Sequence, residues 1–506
     1  MVSNKVGNGM LVGIFATCLT LGVAACSDFL QEDSATTMTV DRYFKNEQQA
    51  VSAVDALYTF LRSVFQSRDG YGEAPWISLE LIVGHSSTLG SSINNNNMIR
   101  HNAATSDPVF RSMYVNLYAG IANANLCIQR IPDVGMDPAR KASLLAQAYF
   151  FRAYFYYYLV RLYGEVPLIT TPVLASSPLL YPKQSPIDAI YEVIVHDLKE
   201  AEAGGLPDRD GTGRISRGAV KAVLADVYLT MAGYPLNRGT AYYQLAMVTA
   251  GEVIATGAYS LFDDYAYLHD RMHKNQGEFI LQVQYAAGII TNRMVSLVVP
   301  QGAGITRIEE QGGIVARREF VESYEPGDKR ALEKQFFFTS HQARDGSGEV
   351  NFGEFALYKY WLEEAGGIRG DGNSDLNWTL MRLPEVLLIY AEAANEVAGP
   401  TEAAVGLVKR VRDRATLVTP EAGQLTQASF RDLVWKERYH ELCFENKAYF
   451  DIKRTRKAYS LHANRFVDAV GFTNESGATM TEKYLLWPFP QTEMDANNQL
   501  EQNQGW

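Results

Sequence analysis

Cysteine is scarce. The chain has four in 506 residues and no Cys-x-x-Cys, which excludes a zinc ribbon and a thioredoxin-type redox pair. A basic excess is also missing: 57 acids against 46 bases give a net charge of −11. That argues against nucleic acid as a partner, because phosphate binding needs a basic footprint. The apolar run at 10–25 has 16 residues, short of the ~20 a membrane-spanning helix needs. Catalytic signatures are missing as well. Gly84-His85-Ser86-Ser87-Thr88 lacks the closing glycine of a nucleophile elbow. Gly211-Thr212-Gly213 lacks the third glycine of a dinucleotide loop, and no phosphate loop is present. His440-Glu441 lacks the second histidine of a zinc-peptidase helix, and the eight histidines are read as forming no metal site. Asp371-Gly372-Asn373-Ser374-Asp375 begins like a calcium loop, but Arg382 stands where a bidentate glutamate belongs, so it reads as a polar turn. No catalytic residue, metal or cofactor is predicted.

What is present starts at the N-terminus. A short polar start with Lys5, the apolar run and the ending Val23-Ala24-Ala25-Cys26 predict a lipoprotein signal over 1–25. Cys26 would be acylated there and would anchor the chain to a membrane without spanning it. Residues 26–40 are polar and read as a tether. Cys127 and Cys443 lie in helical patterns and are expected to be small buried hydrophobes, with pairing as the alternative.

The fold class predicted is mostly α. Helical periodicity begins near Asp41 and runs through Leu61, inside an N-terminal region of 41–257. Residues 66–108, rich in Gly, Ser and Asn, read as a long loop. Eight of the ten residues 149–158 are aromatic, so that helix must be buried on most sides. Phe151, Tyr154, Phe155, Tyr158 and Leu162 mark its core face, and Gly164 and Pro167 its end. A second helix is predicted from the N-cap Ser216 to Ala232. Leu145-Ala146-x-x-Tyr149 and Leu224-Ala225-x-x-Tyr228 approximate the core of a tetratricopeptide repeat, in which a small residue lets two helices approach. The second region, 258–506, opens with a glycine-rich insertion over 258–380 containing a strand from Phe279 to Tyr285. Helical pairs return over 384–447.

Several segments resemble the SusD/RagB family of nutrient-binding outer-membrane lipoproteins. They are the ending at Cys26-Ser27-Asp28-Phe29, the run from Arg152 through Arg161 and Gly164 to Pro167, Gly213-Arg214-Ile215-Ser216, and Tyr324 to Arg330. Later ones are Met381-Arg382-Leu383-Pro384-Glu385, Lys436 to Glu445, Tyr449 to Arg454, and Trp487-Pro488-Phe489-Pro490. They span nearly the whole chain in family order. The resemblance implies four tetratricopeptide-like helix pairs with a loop-rich remainder. It also implies a binding role: capping a SusC-like TonB-dependent transporter and passing it oligosaccharide, or sometimes peptide. The helical repeats would face the transporter, and loops would hold ligand. Lys436, Glu437, Arg438, Glu441 and Glu445, with Asp328 and Arg330, are read as ion pairs that fix the scaffold.

Sugars offer flat apolar faces rimmed by hydroxyls, so a site should set aromatics beside amides and guanidiniums. The cluster that fits is Tyr71, Trp76, Asn94, Asn95, Asn96, Asn97 and Arg100; in the insertion, Tyr285, Asn292, Trp361 and Trp378 are the candidates. The acidic net charge disfavours polyanionic glycans unless a local basic pocket overrides it. Two other functions compete with glycan capture: a glycosidase, whose paired carboxylates have no universal spacing, and a repeat scaffold that binds peptide or protein.

Overall fold

The computed structural model describes residues 43–62, 74–90, 92–173, 177, 180–367 and 370–506. The predicted signal, the tether, Cys26 and Tyr71 lie outside them.

Among the described residues twelve helices have seven residues or more. They are α1 (Glu47–Leu61), α2 (Pro75–Leu81), α3 (Ile93–Ile99), α4 (Pro108–Arg130), α5 (Pro138–Tyr163) and α6 (Ile187–Ala203). They continue with α7 (Arg217–Ala232), α8 (Thr240–Ala255), α9 (Leu383–Ala398), α10 (Glu402–Arg414), α11 (Gln427–Glu441) and α12 (Ala448–Thr455). The local signals account for the ends. The Asp137 carboxylate caps α5 by accepting from the Arg140 amide at 2.9 Å, Pro138 sits in its first turn, and Gly164 ends it at a φ of +76°. Ser216 caps α7 through the Ala219 amide at 3.1 Å, as predicted. The start of α1 is later than Asp41, because the Asn46 side chain caps it through the Gln49 amide at 3.0 Å.

From α4 to α9 each helix packs on the next, and α9 packs on both α10 and α11. This row of eight matches the four expected pairs and carries the repeat character. Helices α8 and α9 are neighbours although the insertion separates them in sequence. The chain therefore leaves the helical row, builds the loop-rich layer, and returns. The repeat signature works as predicted: Ala146 lies so close to Gly204 that a Cβ there would stand 2.4 Å from it. The aromatic helix α5 is the core axis, with Phe150, Phe151, Phe155, Tyr156 and Tyr157 buried. Each such ring contributes about 2 kcal/mol on burial.

The insertion holds antiparallel strands. The sheet order is β1 (Ser86–Ser87), β3 (Val315–Ala316), β5 (Glu349–Leu357), β4 (Phe337–Gln342). Strand β2 (Phe279–Val283) pairs with β6 (Trp378–Arg382), and β7 (Lys457–Ser460) with β8 (Arg465–Asp468). The predicted loop over 66–108 is corrected by α2, β1 and α3. The asparagine run is helical because the Ser92 hydroxyl caps it at the Asn95 amide and Met98 and Ile99 anchor its end in the core. Tertiary anchoring here overrides the poor helix propensity of Asn.

A buried ion network ties the two layers together. Arg382, where β6 enters α9, bonds Glu278 at 2.9 Å and Glu445 at 2.9 Å, and also Glu441. Arg330 holds Asp328 at 2.7 Å, Glu437 at 2.6 Å and Glu441 at 3.0 Å. Arg414 reaches Glu441 at 2.6 Å and also Glu278. Desolvation pushes the Glu441 carboxyl up, but the guanidiniums of Arg414, Arg382 and Arg330 more than reverse it and hold the group well below the usual carboxylate range. The scaffold reading of Asp328, Arg330, Glu437, Glu441 and Glu445 agrees with this. Arg438 pairs with Asp451 at 3.1 Å. Lys436 departs from the pattern and bonds the Asn464 side chain at 3.3 Å.

Candidate functional site

The residues named from sequence divide sharply by burial. Trp76, Trp361 and Trp378 are at most 1% exposed. Trp378 stacks on Tyr360 with centroids 4.8 Å apart and touches Trp76. Trp361 packs on Phe338 and His341 and donates its indole N–H to Glu363 at 2.8 Å. Tyr285 is buried too, with its amide bound to Asn377 at 2.9 Å. Asn292 spends its side chain on the fold: it donates to the Leu376 carbonyl at 2.9 Å and accepts from the Met294 amide at 3.1 Å. These five are corrected. No face of their side chains is open to a sugar in this structure, because they are the hydrophobic and polar filling beneath the loop layer. Asn95 is also buried and donates to the Gly313 carbonyl at 3.5 Å.

What remains of the first cluster lies at the surface. Asn94, Asn96 and Asn97 are half-buried, and Arg100 is exposed. Their helix is pinned to the insertion. Ser86 pairs with Ala316 and Ser87 with Val315. The amides of Leu89 and Gly90 both donate to the Gly312 carbonyl, at 2.8 and 3.0 Å. A Cβ on Gly90 would stand 2.6 Å from the Gln311 carbonyl oxygen, so only glycine allows this approach.

The insertion adds a second polar group. Asn292 and Ser374 exchange two backbone bonds, 2.8 and 3.0 Å long. With Asn292 turned inward, its neighbours Thr291 and Arg293 reach solvent, and both are half-buried. The Thr291 hydroxyl donates to the Asn373 side chain at 3.4 Å. The Arg293 guanidinium and Ile308 close over Gly372, where a Cβ would lie 2.9 and 2.8 Å from them. Asp371 is held below its usual carboxylate range by bonds from the Asn373 side chain and amide, at 3.0 and 2.9 Å. This is the polar turn read from sequence.

Two segments carry the polar surface residues grouped here as the ridge: Asn94, Asn97 and Arg100 on α3, and Gln311, Thr291, Arg293 and Asn373 on the insertion, with Leu89 also exposed. Amides and a guanidinium offer donors and acceptors in the pattern hydroxyls need. Sequence reasoning missed Thr291, Arg293, Gln311 and Asn373. The signal for two of them was Asn292 itself: a buried position in an extended segment turns its neighbours outward.

Chemistry of other kinds finds little support. His85 and Glu80 pair at 2.9 Å in the interior, and the Ser86 hydroxyl donates to the Glu80 backbone carbonyl rather than to His85. His269 and His273 stand four residues apart but do not converge. His273 pairs with Asp270 at 2.7 Å, and His269 packs on Tyr358. Among the described residues no group of three His, Cys, Asp or Glu could hold a metal ion. Among them, too, no helix is long and apolar enough to cross a membrane.

Comparison with known proteins agrees with this architecture. A family model described as the SusD family matches residues 324–506, and one described as starch-binding associating with outer membrane matches 28–229. SusD-like protein P2 of Formosa agariphila is 28% identical over 522 residues, covering 96% of this chain and 97% of that one. A crystal structure of a SusD superfamily protein from Parabacteroides distasonis superposes with a TM-score of 0.87 at 35% identity, over 93% of this chain and 100% of the other. A laminarin-binding SusD-like protein superposes with a TM-score of 0.75 at 24% identity, over 91% of this chain and 100% of the other.

Proposed function

Since this chain belongs to the SusD family, we propose that it is a glycan-binding lipoprotein of the outer membrane. It captures oligosaccharide at the cell surface and delivers it to a SusC-like TonB-dependent transporter. Cys26 carries the lipid, and the helical row faces the transporter. The binding role is supported by the polar residues that the two segments, joined through the Ser86–Ala316 and Gly90–Gly312 contacts, leave at the surface: Asn94 and Arg100 on α3, and Arg293 and Asn373 on the insertion. The description of one matching family model as associating with the outer membrane supports the location. The laminarin-binding relative supports a neutral glucan as the first ligand to try. Binding is expected without turnover.

Affinity electrophoresis of the chain from Ser27 onward against immobilised polysaccharides tests the reading. Retardation by one polysaccharide class is expected, lost in Arg100→Ala and in an Arg293→Ala, Asn373→Ala double variant, with no reducing ends released. Retardation kept in both variants would remove the ridge as the site. Release of reducing ends would favour a glycosidase, and no retardation at all would favour a peptide or protein ligand.

A further inference from the structure

A pocket opens among the helices and shares no residue with the ridge. It has a volume of about 120 Å³ and lies between the C-terminal ends of α5 and α7, the start of α6, and α12. An engineered protein cavity of similar size, about 150 Å³, holds a benzene ring. The walls are apolar, from Ile187, Tyr191, Phe450 and Leu486, yet four cations line it: Arg161, Lys453, Arg454 and Arg456.

Three of those cations are matched. Arg161 lies 3.7 Å from Asp226 and over the rings of Tyr157 and Phe450, 3.6 and 3.9 Å from their centroids. Arg454 is bound by Glu392 and by Asp451, the latter at 2.7 Å. Arg456 pairs with Glu482 at 2.8 Å. Lys453 is not matched. Its Nζ is shielded from solvent and has no hydrogen-bond partner among the described residues. The ring of Tyr449 lies 5.2 Å away. Burial lowers its pKa well below the ordinary lysine value, and the nearby charges of Arg161 and Arg456 lower it further. A buried amine without a counter-charge is costly, and this one lines an open cavity. Among the four lining cations, Lys453 is the one for which no ion pair is found among the described residues.

We propose that this pocket binds a ring-sized monoanion, a single carboxylate or sulfate ester on a sugar or aromatic ring, with Lys453 as its charge partner. One unmatched charge selects a monoanion over a phosphate monoester, which carries close to two charges at neutral pH. The apolar walls pack the ring, and Tyr234, 44% exposed at the mouth, can cover it.

The test is a calorimetric titration of the full chain with sodium glucuronate, methyl glucoside sulfate and sodium benzoate. Glucose and sodium chloride at matched ionic strength are the controls. At least one monoanion is expected to bind, while glucose and chloride do not. Glucuronate or the sulfate binding marks a sugar site; benzoate alone marks a site for aromatic acids. Lys453→Met and Lys453→Gln are expected to fold, because each removes an unmatched charge, and to weaken binding roughly tenfold or more. No binding of any monoanion, or equal binding by both variants, would overturn the proposal.

Discussion

The indole of Trp76 lies 5.1 Å from that of Trp378, centroid to centroid, in the interior. The two come from the segments singled out for ligand binding, and they do meet, but as core. Tyr360 completes the stack, 5.8 Å from Trp76 and 4.8 Å from Trp378. This aromatic cluster joins the helix of Trp76 to the insertion.

Trp76→Ala should therefore act through stability. It should cost about 4 kcal/mol, the range for a large buried aromatic truncated to Ala, and Trp378→Ala should cost a similar amount. Urea unfolding checks this, with the Trp76→Phe variant as the milder control. A Trp76→Ala protein of unchanged stability that had lost glycan binding would return Trp76 to the site.

Glu441 is the shared acceptor of Arg330, Arg382 and Arg414. Glu441→Gln should cost about 3–5 kcal/mol, because it leaves buried guanidiniums without their charge partner. Denaturant midpoints measure it. A loss below 1 kcal/mol would mean that Glu278 and Glu445 suffice.

The stability should fall in acid over a defined window. Burial lowers the His269 pKa to about 4, against about 6.5 in an unfolded chain. Between those values the unfolded state binds the extra proton, so stability drops as the pH falls from 6.5 to 4. The expected contribution is about 2 kcal/mol, since part of the side chain meets solvent. Burial holds His440 neutral as well, and it adds to the same slope. Urea midpoints at pH 7 and pH 4.5 should differ less in His269→Phe than in the parent; equal differences would refute the assignment.

The two described thiols should be inert while the chain is folded. Burial raises Cys127 to about 12 and Cys443 to about 11, so almost no thiolate exists at neutral pH. Neither is in a disulfide. A thiol reagent should label both only after denaturant is added. Rapid labelling of the native protein would contradict their burial.

Gly120 of α4 leaves room for the Phe155 ring of α5. A Cβ there would fall 2.5 Å from the Phe155 ring. Gly120→Ala should destabilise by about 1–3 kcal/mol despite the better helix propensity of Ala. Thermal unfolding reads the sign, and a stabilised variant would show that the crossing can relax.

Much of the fold was legible in the chain because its cues are short-range. Caps such as Ser216, stops such as Gly164, and the repeat of aromatics along α5 act within a few residues of each other, and that is the distance over which a sequence can be read. Burial of an isolated aromatic has no such local mark. Trp76 beside Asn and Gly looks the same whether its ring meets water or Trp378, so composition pointed to the surface where packing put the core. The ridge was half visible for the same reason. Its asparagines stand together in sequence, but Arg293 and Asn373 are brought to each other only through the Asn292–Ser374 pairing. The sequence alone determined the helical row, its ends and its family resemblance, because these rest on local periodicity and ordered motifs. Which aromatics are covered, how Arg382 gathers Glu278, Glu441 and Glu445 and Arg330 gathers Glu437 and Glu441, and why Lys453 stands without a counter-charge were decided by contacts between residues tens to hundreds of positions apart, which exist only once the chain has closed on itself.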